Sequence, residues 1–285
     1  MAEAAPAPRN LTGGAWLLAD MGLNITALSI VKALGLGYPA VQLVFLRAVM
    51  GLLVMVPFLV SGRSAFRGLE DRGLHALRVA LSAITLTASF YAVARLPLAL
   101  FTALMFTRPV VTMVMARGLL GERIAARRWI GAGIALVGVL IAVRPGAAAV
   151  HGWGLAAAGI VVLTGTGAVI ATRRLRTAPR VVMMVFYTAG LTVLTAPFAA
   201  AAWTPVAPAH WQPLLAVGVL TQCAQLCFLR AHGHGEAGFL SVVGYASLVL
   251  SATAGWLAFG EVPDAGFWAG AALIVAAAAW VGSRP

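Results

Sequence analysis

Residues 121–131 read GERIAARRWIG, and residues 260–270 read GEVPDAGFWAG. The two stretches share the pattern G-E-x6-W-x-G at a constant offset of 139 residues. Each stretch lies between the last two apolar segments of its half of the chain. The pattern therefore indicates an internal duplication with its boundary near residue 148.

The composition around these stretches is that of a membrane protein. The chain has 285 residues, of which 61% are hydrophobic and 10% are charged, whereas a soluble domain is about a quarter charged. The apolar segments approach the length of about 20 residues that a helix needs to cross a bilayer. We predict an all-α integral membrane protein with ten transmembrane helices, called spans 1 to 10, at residues 13–34, 40–60, 74–94, 98–117, 128–144, 152–172, 181–202, 211–229, 237–259 and 265–282.

The number of spans makes the repeat an inverted one. Five spans precede the boundary, and because five is odd the second half must enter the membrane upside down. The charges agree, since the first copy of the motif carries Arg123, Arg127 and Arg128 whereas the second carries Glu261 and Asp264. Inverted repeats in transporters form a site near the bilayer midplane that opens to each side in turn. The motif glutamates, Glu122 and Glu261, are expected to be structural, either capping the next helix or holding a base.

The basic residues orient the bundle. Fifteen arginines fall in loops and helix ends on one side, and three bases, Lys32, Arg95 and Arg144, fall on the other. Cytoplasmic loops carry the excess of Lys and Arg. We therefore predict a bacterial cytoplasmic (inner) membrane protein with both termini in the cytoplasm. The net charge of +12 is explained in the same way and does not predict nucleic-acid binding.

Several of these stretches resemble the EamA family of the drug/metabolite transporter superfamily. FYAVARLPLALFTALMFTRPVV at 90–111, followed by LLGERI, RRWIG and RPG, is similar to the first EamA unit. YASLVLSATAGWLAFGEVPD at 245–264, followed by GAALIV, is similar to the second unit. The resemblance implies a cytoplasmic tail at 1–12, a first unit at 13–147 and a second at 148–285. The second unit has Leu248 where the first has Pro109, so the kink that proline predicts in span 4 need not recur in span 9.

Three charged residues lie well inside the spans, away from the helix ends, and they point to a central cavity. Asp20 lies in span 1 and is the one acidic residue within the ten segments, while Arg47 and Arg108 lie in spans 2 and 4. Charges at this depth normally face the bundle interior and pair. Depth along the helices favours an Asp20–Arg108 pair, with Arg47 as the competing partner. The pair either takes part in substrate or proton handling, with Asp20 as the proton carrier, or only fixes how two helices pack.

Polar and aromatic residues within the spans complete the predicted site. Trp16 and Asn24 share one helix face with Asp20, and Gln222 and Gln225 share a face of span 8. Any of them can instead hydrogen-bond across helices, which is the common role of a polar membrane side chain. The candidate substrate-binding residues are Trp16, Asp20, Asn24, Tyr91, Arg108, Tyr187, Gln222, Gln225 and Tyr245.

The function that the resemblance implies is secondary transport of a small organic metabolite by alternating access. We favour uptake of a riboflavin-like heterocycle, because amides and aromatic rings suit a flat neutral ligand. A transporter or exporter of S-adenosylmethionine, amino acids or drugs is the alternative within the family. A membrane-embedded lipid-processing enzyme is the alternative from another class, but it needs a nucleophile, a metal or paired acids. A lone intramembrane aspartate does not provide these, so we predict that the chain is not an enzyme.

The remaining motifs give little information about function. His232, His234 and Glu236 alternate in a short turn but lack a fourth ligand, so neither a metal nor a cofactor is predicted. Small residues such as Gly131 and Ala135 on span 5 allow close helix approach. That face is expected either to pack against span 10 or to form a homodimer. The predicted partners are thus a small metabolite, the lipid bilayer and, in the second case, a copy of the chain.

Overall fold

A computed structural model describes residues 10–35, 37–61, 71–120, 125–143, 151–175, 180–234, 240 and 243–282. These residues are almost entirely helical, and the all-α fold class is confirmed. The helices are α1 (Asn10–Leu34), α2 (Ala40–Ser61), α3 (Arg72–Val93), α4 (Leu98–Met105), α5 (Arg108–Leu120), α6 (Ala126–Val143), α7 (Gly152–Arg174), α8 (Arg180–Ala201), α9 (Trp211–His234), α10 (Ala246–Phe259) and α11 (Ala265–Gly282).

The helices follow the predicted spans. Span 4 consists of α4 and α5, span 9 contains α10, and every other span is one helix. In the described residues, five helical stretches are long and apolar enough to cross a membrane by length and composition. They lie in α1, α3, α4 with α5, α7 and α8, and shorter apolar helices lie in α2, α6, α10 and α11.

The same pattern of helix contacts occurs in both halves of the chain. Three contacts join helices at equivalent positions of the two halves: α2 with α8, α4 with α10 and α6 with α11, which are spans 2 and 7, 4 and 9, and 5 and 10. The other large contacts join α1 to α9 and α3 to α7, which are spans 1 and 8 and spans 3 and 6. When spans 1–5 are exchanged in order with spans 6–10, so that span 1 takes the place of span 6 and the reverse, the same set of helix pairs results. The helix contacts therefore repeat between the two five-span halves, as the predicted duplication requires.

Glycines set the approach of α6 to α11. A Cβ on Gly138 would lie 2.8 Å from the carbonyl oxygen of Gly270 and 2.9 Å from Ile274. A Cβ on Gly270 would overlap the carbonyl oxygen of Gly138 and come within 2.8 Å of Ala142. The small-residue face of span 5 thus packs against span 10, which is one of the two expected arrangements.

Span 4 is interrupted just before its proline. The helix stops at Met105 and resumes at Arg108, and the Thr107 hydroxyl donates to the carbonyl oxygen of Leu104 at 2.7 Å. A hydroxyl that binds a nearby carbonyl competes with helical hydrogen bonding. The kink that Pro109 predicts is present.

Span 9 is interrupted at the equivalent position without a proline. The helical pattern breaks at Tyr245, which is 139 residues after Phe106, and the two rings stack with centroids 5.5 Å apart. Here the Ser247 hydroxyl donates to the carbonyl oxygen of Gly244 at 2.8 Å. The interruption that Pro109 predicts in span 4 thus has a counterpart in span 9, where Leu248 replaces the proline and a hydroxyl bond and the ring stack accompany the break.

Candidate substrate-binding site

A polar cavity of about 210 Å³ lies between helices of both halves. It runs from the middle of α2 and α9 towards the end of the bundle where α3 and α8 begin. The lining is mainly polar and consists of Arg47, Arg78, Ser82, Ala168, Val169, Thr172, Met184, Tyr187, Thr188, Thr221, Gln222 and Gln225.

Two arginines dominate the electrostatics of this cavity. The Nε atom of Arg47 donates to the hydroxyl of Thr221 at 2.9 Å. Arg78 donates to the carbonyl oxygen of Met183 at 3.1 Å, and its guanidinium lies over the Tyr187 ring, 5.3 Å from the centroid. Among the described residues that line the cavity none is acidic. Because desolvated charge is costly unless it is paired, a ligand with a negative group would be stabilised here.

Two glutamines supply amide groups to the same cavity. Gln222 is half-buried and Gln225 is exposed, so they sit at different depths of one face of α9. A Cβ on Gly51 of α2 would lie 3.2 Å from the Gln222 side-chain oxygen. The glycine therefore lets α2 approach the amide closely. Each amide offers two donors and an acceptor to a ligand.

The structure brings three of the nine predicted site residues into this cavity: Tyr187, Gln222 and Gln225. Trp16, Asp20 and Asn24 lie together on α1, which packs against α9. Asn24 donates to the carboxylate of Asp20 at 2.8 Å, as their shared face predicts, and Trp16 lies under the guanidinium of Arg230 at 4.8 Å. Asp20 is half-buried, so its carboxylate is neither sealed in the core nor fully exposed.

The contacts of the described residues do not include the predicted pairing of Asp20 with Arg108 or Arg47. In the described part of the chain, Arg108 donates to the carbonyl oxygen of Val161 at 3.4 Å, and its guanidinium lies directly against Gly165 of α7. Arg47 binds Thr221 instead. The physical reason is lateral position: α5 packs against α7, whereas α1 packs against α9.

The two other predicted tyrosines lie outside the cavity. Tyr91 carries the guanidinium of Arg95 on its ring at 3.4 Å, near the end of α3. Tyr245 stacks on Phe106 at the crossing of spans 4 and 9. The alternating residues His232, His234 and Glu236 cannot be compared as a set, because Glu236 and the side chain of His232 lie outside the described residues.

Arg78 is one of the fifteen arginines that predict the orientation, and it was not predicted as a site residue. The helix begins at Arg72, so Arg78 lies nearly two turns inside α3. Ser82, four residues later, also lines the cavity. An arginine and a serine on one helix face within a membrane segment were the available signal.

The opposite end of the bundle is closed by an ion pair. Lys32, at the end of α1, lies 2.7 Å from the Oε1 atom of Glu261, and the Oε2 atom accepts from the backbone N–H of Leu98 at 3.0 Å. Lys32 also donates to the carbonyl oxygen of Leu96 at 2.5 Å. Glu261 thus pairs with a base and caps α4 of the other half, which confirms its structural role. The helix that it caps is α4 and not α11, the next helix in the chain. Glu122 lies outside the described residues.

Further polar contacts close the same end. The fully buried Gln42 donates to the carbonyl oxygen of Thr204 at 2.8 Å and accepts from its N–H at 3.0 Å. The Tyr38 hydroxyl contacts His210 at 2.7 Å and accepts from the N–H of Ala207 at 3.2 Å. The segment between α8 and α9 is thereby fixed over the start of α2.

An apolar helical bundle with inverted halves, closed at one end and holding a polar cavity, defines a multi-span membrane transport protein. The sequence model of the EamA-like transporter family matches residues 17–144 and again residues 151–283. The chain belongs to this family.

Relatives agree on transport and differ in substrate. The pseudopaline exporter CntI of Pseudomonas aeruginosa is 31% identical over 87% of this chain and 88% of its own length. A riboflavin transporter of Vibrio cholerae is 27% identical over 95% of this chain and 93% of that protein. An S-adenosylmethionine uptake transporter of Rickettsia bellii is 25% identical over 94% and 92%. A crystal structure with 21% identity superposes with a TM-score of 0.67 over 95% of this chain and 96% of the other, which shows the shared fold.

Proposed function

We propose that this protein transports a small organic metabolite carrying at least one negatively charged group, by alternating access. The observation that carries the proposal is the cavity lined by Arg47 and Arg78, in which no described lining residue is acidic. A carboxylate matches the planar fork of a guanidinium and can accept two hydrogen bonds from it. The amides of Gln222 and Gln225 would then bind the neutral polar part of the ligand.

The two ends of the bundle support alternating access. The Lys32–Glu261 and Gln42–Thr204 contacts close one end, while the cavity lies towards the other. In the predicted orientation the closed end is the outer one, and the conformation is inward-facing. The interruptions at Phe106 and Tyr245 lie where the halves meet, and irregular backbone at that depth is tolerated beside a cavity or another helix.

A riboflavin-like heterocycle is the second candidate. Its support is the Tyr187 ring, the two glutamines and the riboflavin transporters among the relatives. It takes second place because Tyr187 is the one aromatic side chain among the described lining residues, and Arg78 covers its ring. A neutral flavin ring also brings no negative charge to either guanidinium group. The exporter and the S-adenosylmethionine transporter among the relatives leave both directions of transport open.

Counterflow in proteoliposomes tests the proposal. The solutes are radiolabelled glutamate with two carboxylates, riboflavin as a neutral heterocycle without a carboxylate, and S-adenosylmethionine, whose single carboxylate accompanies a sulfonium and an ammonium group. We expect counterflow of glutamate, with Arg47→Gln and Arg78→Gln each lowering its rate about tenfold or more. Arg72→Gln is the matched control, since Arg72 is exposed on α3 outside the cavity. Transport of riboflavin alone, unchanged in both variants, would contradict the anionic ligand; counterflow of none of the three solutes would contradict the proposal as a whole.

A further inference from the structure

A second, larger cavity of about 740 Å³ lies on the side of the bundle, between α3, α7 and α8. Its lining is almost wholly apolar and includes Ile84, Ala156, Ile160 and Phe198. Trp153 at its rim is 73% exposed and Phe198 is 62% exposed, so the cavity opens sideways from the helices. We call it the lateral groove. In a membrane-spanning bundle, a side opening of this kind faces lipid chains rather than water.

The lateral groove occupies the half of the bundle nearer the closed end. Trp153 is the second residue of α7, Phe198 is near the end of α8 and Tyr91 is near the end of α3. These helix ends lie at the same end as the Lys32–Glu261 pair. An exposed tryptophan at such a depth is typical of the membrane–water interface. The groove therefore lies in one leaflet, the outer one in the predicted orientation.

A smaller cavity of about 260 Å³, lined by both polar and apolar groups, adjoins the groove at the interface. Tyr91 lines both spaces, and the smaller one is also lined by Arg95, Tyr38 and Thr204. The guanidinium of Arg95 lies on the ring of Tyr91 at 3.4 Å and donates to its carbonyl oxygen at 3.2 Å. An apolar space and a cationic space thus meet at one side chain.

The local packing holds Arg95 at this position. A Cβ on Gly154 of α7 would lie 3.3 Å from the Cβ of Arg95 and 3.0 Å from Leu96. The glycine therefore brings the start of α7, with Trp153 beside it, against the turn that carries Arg95. The contacts recorded for Arg95 in the described residues include no carboxylate, since Glu261 in the same region is bound to Lys32. The cation keeps donors available at the mouth of the groove.

We propose that the lateral groove and the Arg95 cavity together bind one anionic phospholipid of that leaflet. The phosphate accepts hydrogen bonds from Arg95, and one acyl chain lies along the apolar lining between α3 and α7. Charge complementarity selects a lipid over a second copy of the chain, because a copy would have to bring an acidic group to a membrane-facing surface. The inference is independent of the metabolite cavity, which lies at the other end of α3.

Lipid retention measured by native mass spectrometry tests this site. The purified full-length protein in detergent is titrated with phosphatidylglycerol, and separately with phosphatidylcholine as a lipid of no net charge. We expect one saturable phosphatidylglycerol adduct, bound more tightly than phosphatidylcholine. Arg95→Gln should weaken it about fivefold, the effect of one cation on an anionic lipid. Arg95→Lys should keep much of the binding because it keeps the charge.

Two more variants separate the groove from the charge. Ala156→Phe fills the groove at an exposed position and should reduce binding of both lipids. Arg72→Gln removes an exposed arginine at the other end of α3 and should leave binding unchanged. Equal retention in wild type, Arg95→Gln and Ala156→Phe would overturn the proposal. So would a dimer that Ala156→Phe dissociates, since the groove would then be an interface between copies.

Discussion

Arg78 joins three roles in one side chain: it donates to a backbone carbonyl, lies over Tyr187 and lines the metabolite cavity. A lysine at this position keeps the charge but loses the planar fork and its stacking. We expect Arg78→Lys to raise KM for the transported anion about tenfold while kcat changes little, because ground-state binding is what it weakens. Initial rates in proteoliposomes over a range of solute concentrations give both constants. A fall in kcat at constant KM would contradict a binding role.

Asp20 stays the candidate for proton coupling, although its predicted arginine partners make other contacts. Its carboxylate is half-buried and accepts from Asn24, so it can bind and release a proton without leaving the bundle. We expect Asp20→Asn to keep counterflow in the absence of a pH gradient and to lose its stimulation by one. Asp264→Asn is the control, because it makes the same change in a loop where asparagine can still cap the helix through Phe267. Equal stimulation in wild type and Asp20→Asn would exclude this carboxylate as the proton carrier.

At the scale of single elements, the crossing of α6 and α11 depends on backbone contact. A methyl group on Gly270 has no space, because the Gly138 carbonyl and Ala142 already occupy it. We expect Gly270→Ala to lower the free energy of unfolding by about 1–3 kcal/mol, the usual cost of overpacking. Gly133→Ala is a matched control on α6, since nothing lies within 4 Å of its added Cβ. Thermal unfolding in detergent should show a lower Tm for the first variant alone, and equal Tm values would contradict the packing.

The sequence predicts the position of a residue along its helix better than the direction in which that residue faces its neighbours. Position along a helix can be counted, so the spans, the inverted repeat and the shared face of Gln222 and Gln225 were predicted. The arrangement of the helices around one another does not follow from residue spacing, because packing determines it. Asp20 and Arg108 are at compatible depths yet lie on α1 and α5, which pack against different helices. The break at Tyr245 was missed for a related reason, since a ring stack with Phe106 is a contact between distant segments.

At the scale of the whole molecule, an ion pair joins the two halves at the closed end. Glu261 of the second half binds Lys32 and the start of α4, both in the first half. The two side chains are partly buried, 12% and 21% exposed, so removing one partner leaves the other charge incompletely solvated and destabilises this arrangement. The conformation with this end closed therefore depends on the pair. In a conformation with this end open, water would solvate Lys32. Removal of the Glu261 charge would therefore cost that conformation much less free energy.

We therefore expect Glu261→Gln to shift the population towards opening of the closed end. Ala27, which is 1% exposed in the packing beneath that end, is the reporter position. Ala27→Cys, in a chain whose Cys223 and Cys227 are replaced by alanine, is treated with a membrane-impermeant maleimide. The labelling rate should rise when Glu261→Gln is added and should not rise with Asp264→Asn, the same change three residues along. An unchanged rate in both would mean that Gln42–Thr204 and Tyr38–His210 keep this end closed without the ion pair.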